Sequence, residues 1–424
     1  MITYNDSERY QKAIRGAWLT VFLLFVVGFL NYLDRIMLTT MRTSIVDAIP
    51  MTDAQFGLLT SVFLWVYGLL SPYAGFLADR FSRSKVIIVS LFVWSAVTWL
   101  TAHAQNFEQL LATRALMGIS EACYIPAALA LIADYHRGST RSLAIGIHNG
   151  GIMIGQSMGF LGGWIAENHH WSDAFTVFGI FGVAYAVVMF FFLKDVPGGR
   201  ASLPLPAEQG NSDEKITFLN GIKTLFKRRS FILLVIFWGL LGLVGWMIVG
   251  WLPTYYKEHY QLSQTMAGVY ATWYVYPLSF AGVILGGFLA DRWHRSNRYA
   301  RILLPAIGLL IAAPAAYMAG ATDVLLLAIG GFMVYAFTRT FTDTNLMPIL
   351  CMIADEKYRA TGYGVLNMFA CIVGGLSIYA GGVLRDASVN TQVLFKTAAI
   401  TMVVCALLLF AIKSIYARTT GSSK

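Results

Sequence analysis

The sequence is 424 residues long, 57% hydrophobic and only 12% charged, with a formal net charge of +9. Globular chains carry about 25% charged residues, so a water-soluble fold is excluded. The four cysteines have no paired metal-ligand spacing, which speaks against a zinc site or a disulfide framework. The basic balance does not call for a nucleic-acid partner, because the positions of the charges report membrane orientation instead.

Twelve apolar runs are long enough to cross a ~30 Å hydrocarbon core as helices of ~20 residues. Spans 1 to 6 lie near 17–38, 55–78, 86–104, 107–133, 140–166 and 173–193. Spans 7 to 12 lie near 231–254, 265–290, 302–320, 323–348, 359–384 and 391–413. The predicted fold is an all-α polytopic membrane protein. The polar opening MITYNDSERYQKAIRG precedes span 1 without a small-residue cleavage site, so span 1 reads as a retained helix and not a removable signal. With the N-terminus inside, 24 of the 31 Lys and Arg residues fall on the inner side, and only Arg42, Lys257, Arg385 and Lys396 fall outside. That asymmetry predicts cytoplasmic termini at both ends.

Residues 194–230, KDVPGGRASLPLPAEQGNSDEKITFLNGIKTLFKRRS, form the one long polar stretch and read as a cytoplasmic linker. Its basic, amphipathic end is suited to lie on the inner leaflet. The linker divides the chain into six-helix bundles at 1–193 and 231–424. GFLADR occurs at 75–80 and again at 287–292, at the inner ends of spans 2 and 8. IAD at 132–134 is echoed at 353–355, each followed by an Arg and a Gly-containing helix start. The chain therefore reads as a duplicated unit around a central site, opened alternately by rocking one half on the other. Gly151, Gly155, Gly159 and Gly163 in span 5, and Gly282 and Gly286 in span 8, recur every fourth residue, which permits close helix approach. A tight contact between spans 5 and 8 is expected.

Ionisable groups within a span cost ~2.5–3.5 kcal/mol each on the insertion scale, so they read as functional by default. Six are present: Asp34 and Arg35 in span 1, Arg114 and Glu121 in span 4, Arg339 and Asp343 in span 10. Arg114 and Glu121 share one helix face two turns apart. Arg339 and Asp343, at i and i+4, are placed to pair. Asp34 and Arg35 are neighbours and point about 100° apart, so they address different partners. Three arginines and three carboxylates sum to zero. Protonating Glu121 or Asp34 leaves a surplus positive charge that attracts an anion, so proton and anion bind better together than apart.

Neutral residues that would complete a sugar-sized site are Tyr32, Tyr67, Tyr124, His148, Asn149, Gln156, Trp246, Tyr274, Asn345 and Asn367. Aromatic rings stack on a pyranose face and amides bind its hydroxyls. Transport would be driven by a gradient, since no G-x-x-x-x-G-K-[ST] loop occurs, and no cofactor, metal site or nucleophile–base arrangement is expected.

The repeated loop motif resembles that of the major facilitator superfamily: Gly75, Asp79, Arg80, Arg83 and Lys85 after span 2, and Gly287, Asp291, Arg292 and Arg295 after span 8. Ser82 and His294 stand where the family often has glycine. The resemblance implies a twelve-helix carrier in which Asp79 and Arg80 latch the cytoplasmic side of the outward-facing state. NYLDR in span 1, with R-x-x-x-G-x-x-E and Pro126 in span 4 and WLPTYYKEHYQLS at the end of span 7, is similar to the anion:cation symporters. That likeness implies that Arg35 and Arg114 hold a carboxylate while Asp34 and Glu121 take up protons. The Spinster lysolipid carriers share the span 1 DR and the span 4 spacing. The expected function is therefore proton-coupled symport of a small organic anion such as a sugar acid, by a monomer in the lipid bilayer of a bacterial inner membrane. The alternatives are a Spinster-like amphiphile exporter and a non-transporting sensor with a carrier fold.

Overall fold

A computed structural model describes residues 4–136, 140–196, 218–355 and 358–421. Most of the predicted linker, together with the Asp79 side chain of the predicted gate, lies outside what is described, while Gly75 falls within the helix Asp53–Arg80. Among the described residues, eleven helices are long and apolar enough to cross a membrane. The remaining span is span 5, which is broken at Met158 and Gly159 into Arg141–Ser157 and Phe160–Asn168. Spans 4, 8 and 10 are also made of two segments each, parting at Cys123, at Trp273 and Tyr274, and at Thr340. With these breaks, the expected twelve-span all-α architecture is present.

The helices begin where their side chains satisfy free backbone donors. Thr52 and Gln55 form a capping box at the start of Asp53–Arg80, and His170 and Asp173 do so for Trp171–Phe192. Asn106 caps Phe107–Ala122 by accepting from the Gln109 N–H. Along their outsides the helices expose large apolar residues: Phe190, Phe191, Phe192, Leu326 and Ile400 are all more than half exposed. In water such a belt would be untenable; in a bilayer it is the solvent-facing surface.

Helix pairing repeats between the two halves. Span 1 packs on span 5, span 2 on span 4 and span 3 on span 6, while span 7 packs on span 11, span 8 on span 10 and span 9 on span 12. The duplicated sequence is thus matched by duplicated packing. Close glycine approach explains several of these pairs. A Cβ at Gly151 or Gly155 would overlap the carbonyls of Phe25 or Phe29 in span 1, and one at Gly282 or Gly286 would overlap Phe337 or Phe341 in span 10. Most of these glycines seat helices within each half. The expected contact between spans 5 and 8 is present as well: Gly163 lies against the Gln264 carbonyl, Gly268 against Phe160, and the Thr272 hydroxyl donates to the Ser157 carbonyl at 3.0 Å. The extensive contact between halves runs along spans 2 and 11, where Gly57 lies against the Ile378 carbonyl, Gly68 against Cys371, and Gly382 against Asp53 and Ala54.

The end of the bundle away from the chain termini is tied across the halves by charge. Arg42, after span 1, pairs with Asp53 and with Glu258 at 3.3 Å. Arg385, at the end of span 11, pairs with Asp53 at 3.0 Å and with Glu258 at 2.9 Å, and its guanidinium also lies over the Trp251 ring. The Asp386 carboxylate accepts from the backbone N–H groups of Asp53 and Ala54 at 2.8 and 2.9 Å. Nearby, Gln264 bonds Ser44 and the Gly163 carbonyl, and Glu167 accepts from the Thr265 N–H at 2.8 Å and from its hydroxyl. Burial alone would raise the Glu167 pKa, but these Thr265 bonds and the charge of Lys257 hold it below the ordinary carboxylate value. The contact therefore persists at neutral pH and weakens only as pH falls through that lowered value.

This network should hold its end of the molecule shut. Arg385→Ala removes the ion pair to Asp53 across the halves and the pair to Glu258 that holds that carboxylate beside Arg42, and the expected result is a longer distance between spin labels at Asp47 and Asn390, measured by pulsed EPR in a cysteine-free background. An unchanged distance distribution would show that apolar packing alone closes this end.

Candidate charged site

Span 1 carries Asn31, Asp34 and Arg35 into the interior of the first half, opposite Arg114 and Glu121 of span 4. The Arg35 Nε donates to Glu121 Oε2 at 2.7 Å, with side chains 3% and 0% exposed. Asp34, turned away from Arg35 as the helix geometry requires, accepts from the Thr98 hydroxyl of span 3 at 3.2 Å. Arg114 is 1% exposed, and its Nη1 lies 3.0 Å from the Met117 sulfur, a weak acceptor. Two guanidinium and two carboxyl groups are therefore enclosed together, a set whose charges sum to zero when all four are ionised.

Aromatic rings replace water around the cations. The Arg35 guanidinium stands 4.6 Å from the Tyr32 ring, 4.9 Å from Phe63 and 4.5 Å from Tyr67, and Arg114 stands 5.2 Å from Phe63. Desolvated contacts of this type are worth up to about 2 kcal/mol each. Hydrogen bonding is nevertheless incomplete. Arg35 Nη2, Arg114 Nε and Nη2, Glu121 Oε1, Asp34 Oδ1 and both amide atoms of Asn31 are buried without a hydrogen-bond partner. Buried polar atoms are normally satisfied, so this is a cluster with donors and acceptors to spare.

In the second half, Arg339 Nη1 donates to Asp343 Oδ2 at 2.7 Å, across the break in span 10 at Thr340. Here the side chains are 19% and 33% exposed. Spans 4 and 10 occupy matching places in the packing, and both bear charge close to a helix break.

The predicted neutral lining divides. Tyr32 and Tyr67 surround Arg35 as described. Tyr124 and His148 do not line an opening: both are fully buried and bond to one carbonyl, that of Leu24, at 2.9 and 3.1 Å. They fix span 1 to spans 4 and 5. Trp246 lies against Gly374, and Asn345 bonds the Phe341 carbonyl within its own helix. Asn367 donates to Ser71 Oγ at 3.2 Å, linking spans 11 and 2. Tyr274 and Asn149 are exposed and Gln156 is half-buried. The sequence reading omitted Asn31, Phe63, Thr98 and Met117, all of which touch or neighbour the charged groups. Their spacing from Asp34 and Arg114 on the same or facing helices was the available signal.

Of the loop residues, Arg83 pairs with Asp134 and also donates to the Ala130 carbonyl at 2.9 Å. Asp134 belongs to the first IAD; the second IAD places Asp355 against Arg228 at 2.6 Å. Asp291 pairs with Arg301 at 3.1 Å. Arg292 and Arg295 line a cavity of about 530 Å³ with Leu289, Trp293 and Ser296. Gly287 faces Thr344 of span 10, and Arg80 is exposed.

The family signature of the Major Facilitator Superfamily matches residues 24–377. The chain is 27% identical over 394 residues to Protein spinster homolog 1 of Xenopus tropicalis, covering 86% of this chain and 72% of that one. It is 26% identical over 286 residues to the Hexuronate transporter of Bacillus subtilis, covering 67% and 66%. Among solved structures, a bacterial homolog of the human lysosomal transporter Spinster, inward-facing and unoccupied, superposes with a TM-score of 0.76 at 22% identity, over 95% of this chain and 96% of that one. The last similarity is one of fold.

The buried pair gives a direct test of the cluster. Arg35→Met leaves Glu121 enclosed without its cation, and breaking a buried pair in this way costs about 3–5 kcal/mol. Thermal unfolding in detergent should show a large drop in Tm, with part of it recovered in the Arg35→Met, Glu121→Gln double variant. Equal losses in the single and double variants would mean that the two charges do not depend on each other.

Proposed function

The chain belongs to the Major Facilitator Superfamily, and on that premise we propose that it is a proton-coupled symporter of a small organic anion, a sugar acid such as a hexonate or hexuronate. It works by alternating access in a bacterial inner membrane with both termini in the cytoplasm.

The neutral cluster of Asp34, Arg35, Arg114 and Glu121 carries this reading. With all four ionised, the set has no net charge and no call for a counterion. A proton on Glu121 takes away the partner of Arg35, and a proton on Asp34 removes one of the carboxylates that neutralise Arg114. Either event leaves a surplus guanidinium charge in a low-dielectric interior, where an anion gains most from entering. The free N–H groups on Arg35 and Arg114 are the donors a carboxylate requires, in a bidentate or bridging arrangement. Reciprocity follows: the bound anion favours the proton as much as the proton favours the anion.

The closed end fits an alternating-access cycle. If the positive-inside orientation holds, the network of Arg42, Asp53, Glu258, Arg385 and Asp386 shuts the outer side, and the structure is the inward-facing member of the cycle. In that state Tyr32 and Tyr67 cover Arg35, so an anion reaches the guanidinium by displacing a ring contact. The hexuronate transporter among the relatives supports an organic anion as cargo. A second reading, a Spinster-like carrier of a lysolipid or other amphiphile, is favoured by the sequence and fold similarity to Spinster proteins.

Proteoliposome uptake separates the two. Under an inward proton gradient, a sugar acid should accumulate while neutral sugars and lysolipids do not. Arg114→Ala should abolish uptake, and Glu121→Gln should retain exchange but lose accumulation. Movement of a lysolipid alone, normal transport by both variants, or binding without flux would overturn the symport reading.

A further inference from the structure

The two halves present their intramembrane charge differently. In the first half, none of the four charged side chains is more than 4% exposed. In the second half, the Arg339–Asp343 pair remains 19% and 33% exposed although it sits in a closely packed neighbourhood: Gly245 of span 7 faces Arg339 Nη2 at 3.5 Å from a built Cβ, and Tyr335 and Tyr276 are 5% and 9% exposed. Tyr276 lies within electrostatic reach of both Arg339 and Tyr32, and Tyr363 of both Asp343 and Tyr32. Tyr32 is the ring against Arg35. Tyr276 and Tyr363 of the second half thus share the electrostatic surroundings of Tyr32 and of the accessible pair.

The placement of each carboxylate along its half gives this a second footing. Glu121 stands eleven residues before the first IAD, and Asp343 stands ten residues before the second. Each carboxylate lies near the break of its span, and broken helices are where carriers of this type place ligand groups. An accessible ion pair offers a strong donor and a strong acceptor side by side with no net charge. Neutral hydroxyl groups use both at once: one oxygen accepts from the guanidinium while a neighbouring O–H donates to the carboxylate. A second carboxylate would have to displace Asp343 to gain as much.

We infer that Arg339 and Asp343 form a second anchor for the substrate, binding vicinal hydroxyls at the end of the molecule opposite its carboxylate, with Tyr276 and Tyr363 flanking its carbon skeleton. The inference rests on the sugar-acid reading above and assigns the side chains that read the hydroxyls of that cargo. The first half then binds the charge that all organic anions share, and the second half reads the hydroxyls that only some of them carry.

The test compares gluconate with hexanoate, which keeps the chain length and carboxylate and lacks the hydroxyls. Binding to the purified full-length protein is measured by competition and by thermal shift, for wild type, Asp343→Asn and Arg339→Lys. Wild type should bind gluconate at least tenfold more tightly than hexanoate. Asp343→Asn should bring gluconate down to the hexanoate level with hexanoate affinity unchanged, and Arg339→Lys, which keeps the charge but loses the planar fork, should lose part of the same preference. If wild type discriminates and both variants keep the full ratio, or if they weaken both acids equally along with Tm, the pair is a structural bridge and the anchor is wrong. If wild type binds neither acid, the organic-anion reading falls and the anchor falls with it.

Discussion

Everything in the first half is arranged around one electrostatic constraint: two arginines and two carboxylates must remain inside a membrane-spanning bundle. Each charge alone would be strongly unfavourable there, and their mutual attraction offsets the desolvation only if the set is neutral and close. The structure meets that condition by crossing span 1 against span 4, so that Arg35 reaches Glu121, and by leaving Asp34 to Thr98 of span 3. Span 1 must then be held at one height. The Leu24 carbonyl receives both Tyr124 and His148, and Gly151 and Gly155 admit the backbone at Phe25 and Phe29. The packing next to the cluster is as much a part of the site as the charges.

A cluster that is neutral but not fully hydrogen-bonded has two kinds of response available. A fully bonded buried network would be a rigid structural element, and an apolar replacement could match its stability. Spare donors and acceptors on the same four side chains give a proton or an oxyanion somewhere to go without dismantling the set. The second half lacks such enclosure and keeps a single pair at a helix break. Both halves thus carry charge near the break of the corresponding span and differ in its depth and number.

The sequence made much of this legible. Twelve spans followed from run length, and the halves followed from GFLADR and IAD, because repetition in register survives where composition alone would not repeat. The six intramembrane charges stood out since so few ionisable residues occur in apolar runs. Arg339 and Asp343 could be paired from i,i+4 spacing alone. Helix-to-helix partners could not be read this way. A glycine stripe announces close approach without naming what approaches: most of the stripe glycines of spans 5 and 8 face spans 1 and 10, and Gly163 meets span 8. Tyr124 and His148 were misplaced for the same reason: a polar aromatic near the cluster in sequence can bond a neighbouring backbone and never see the cavity. The closing network was hidden because Arg42, Asp53, Glu258 and Arg385 lie at helix ends far apart in sequence, and each looks like an ordinary solvated charge.

Those four residues also expose the molecule to the medium at that end. Their ion pairs are partly open to solvent, with Glu258 45% exposed, and the Debye length at 0.15 M salt is about 8 Å, comparable to the size of the network itself. Dissolved ions compete for the same charges from one side of the membrane only, whereas the enclosed cluster is out of their reach. The balance between the two faces of the carrier is thereby coupled to the ionic strength of one compartment: dilute surroundings strengthen the closure and saline surroundings loosen it, with no specific ligand involved.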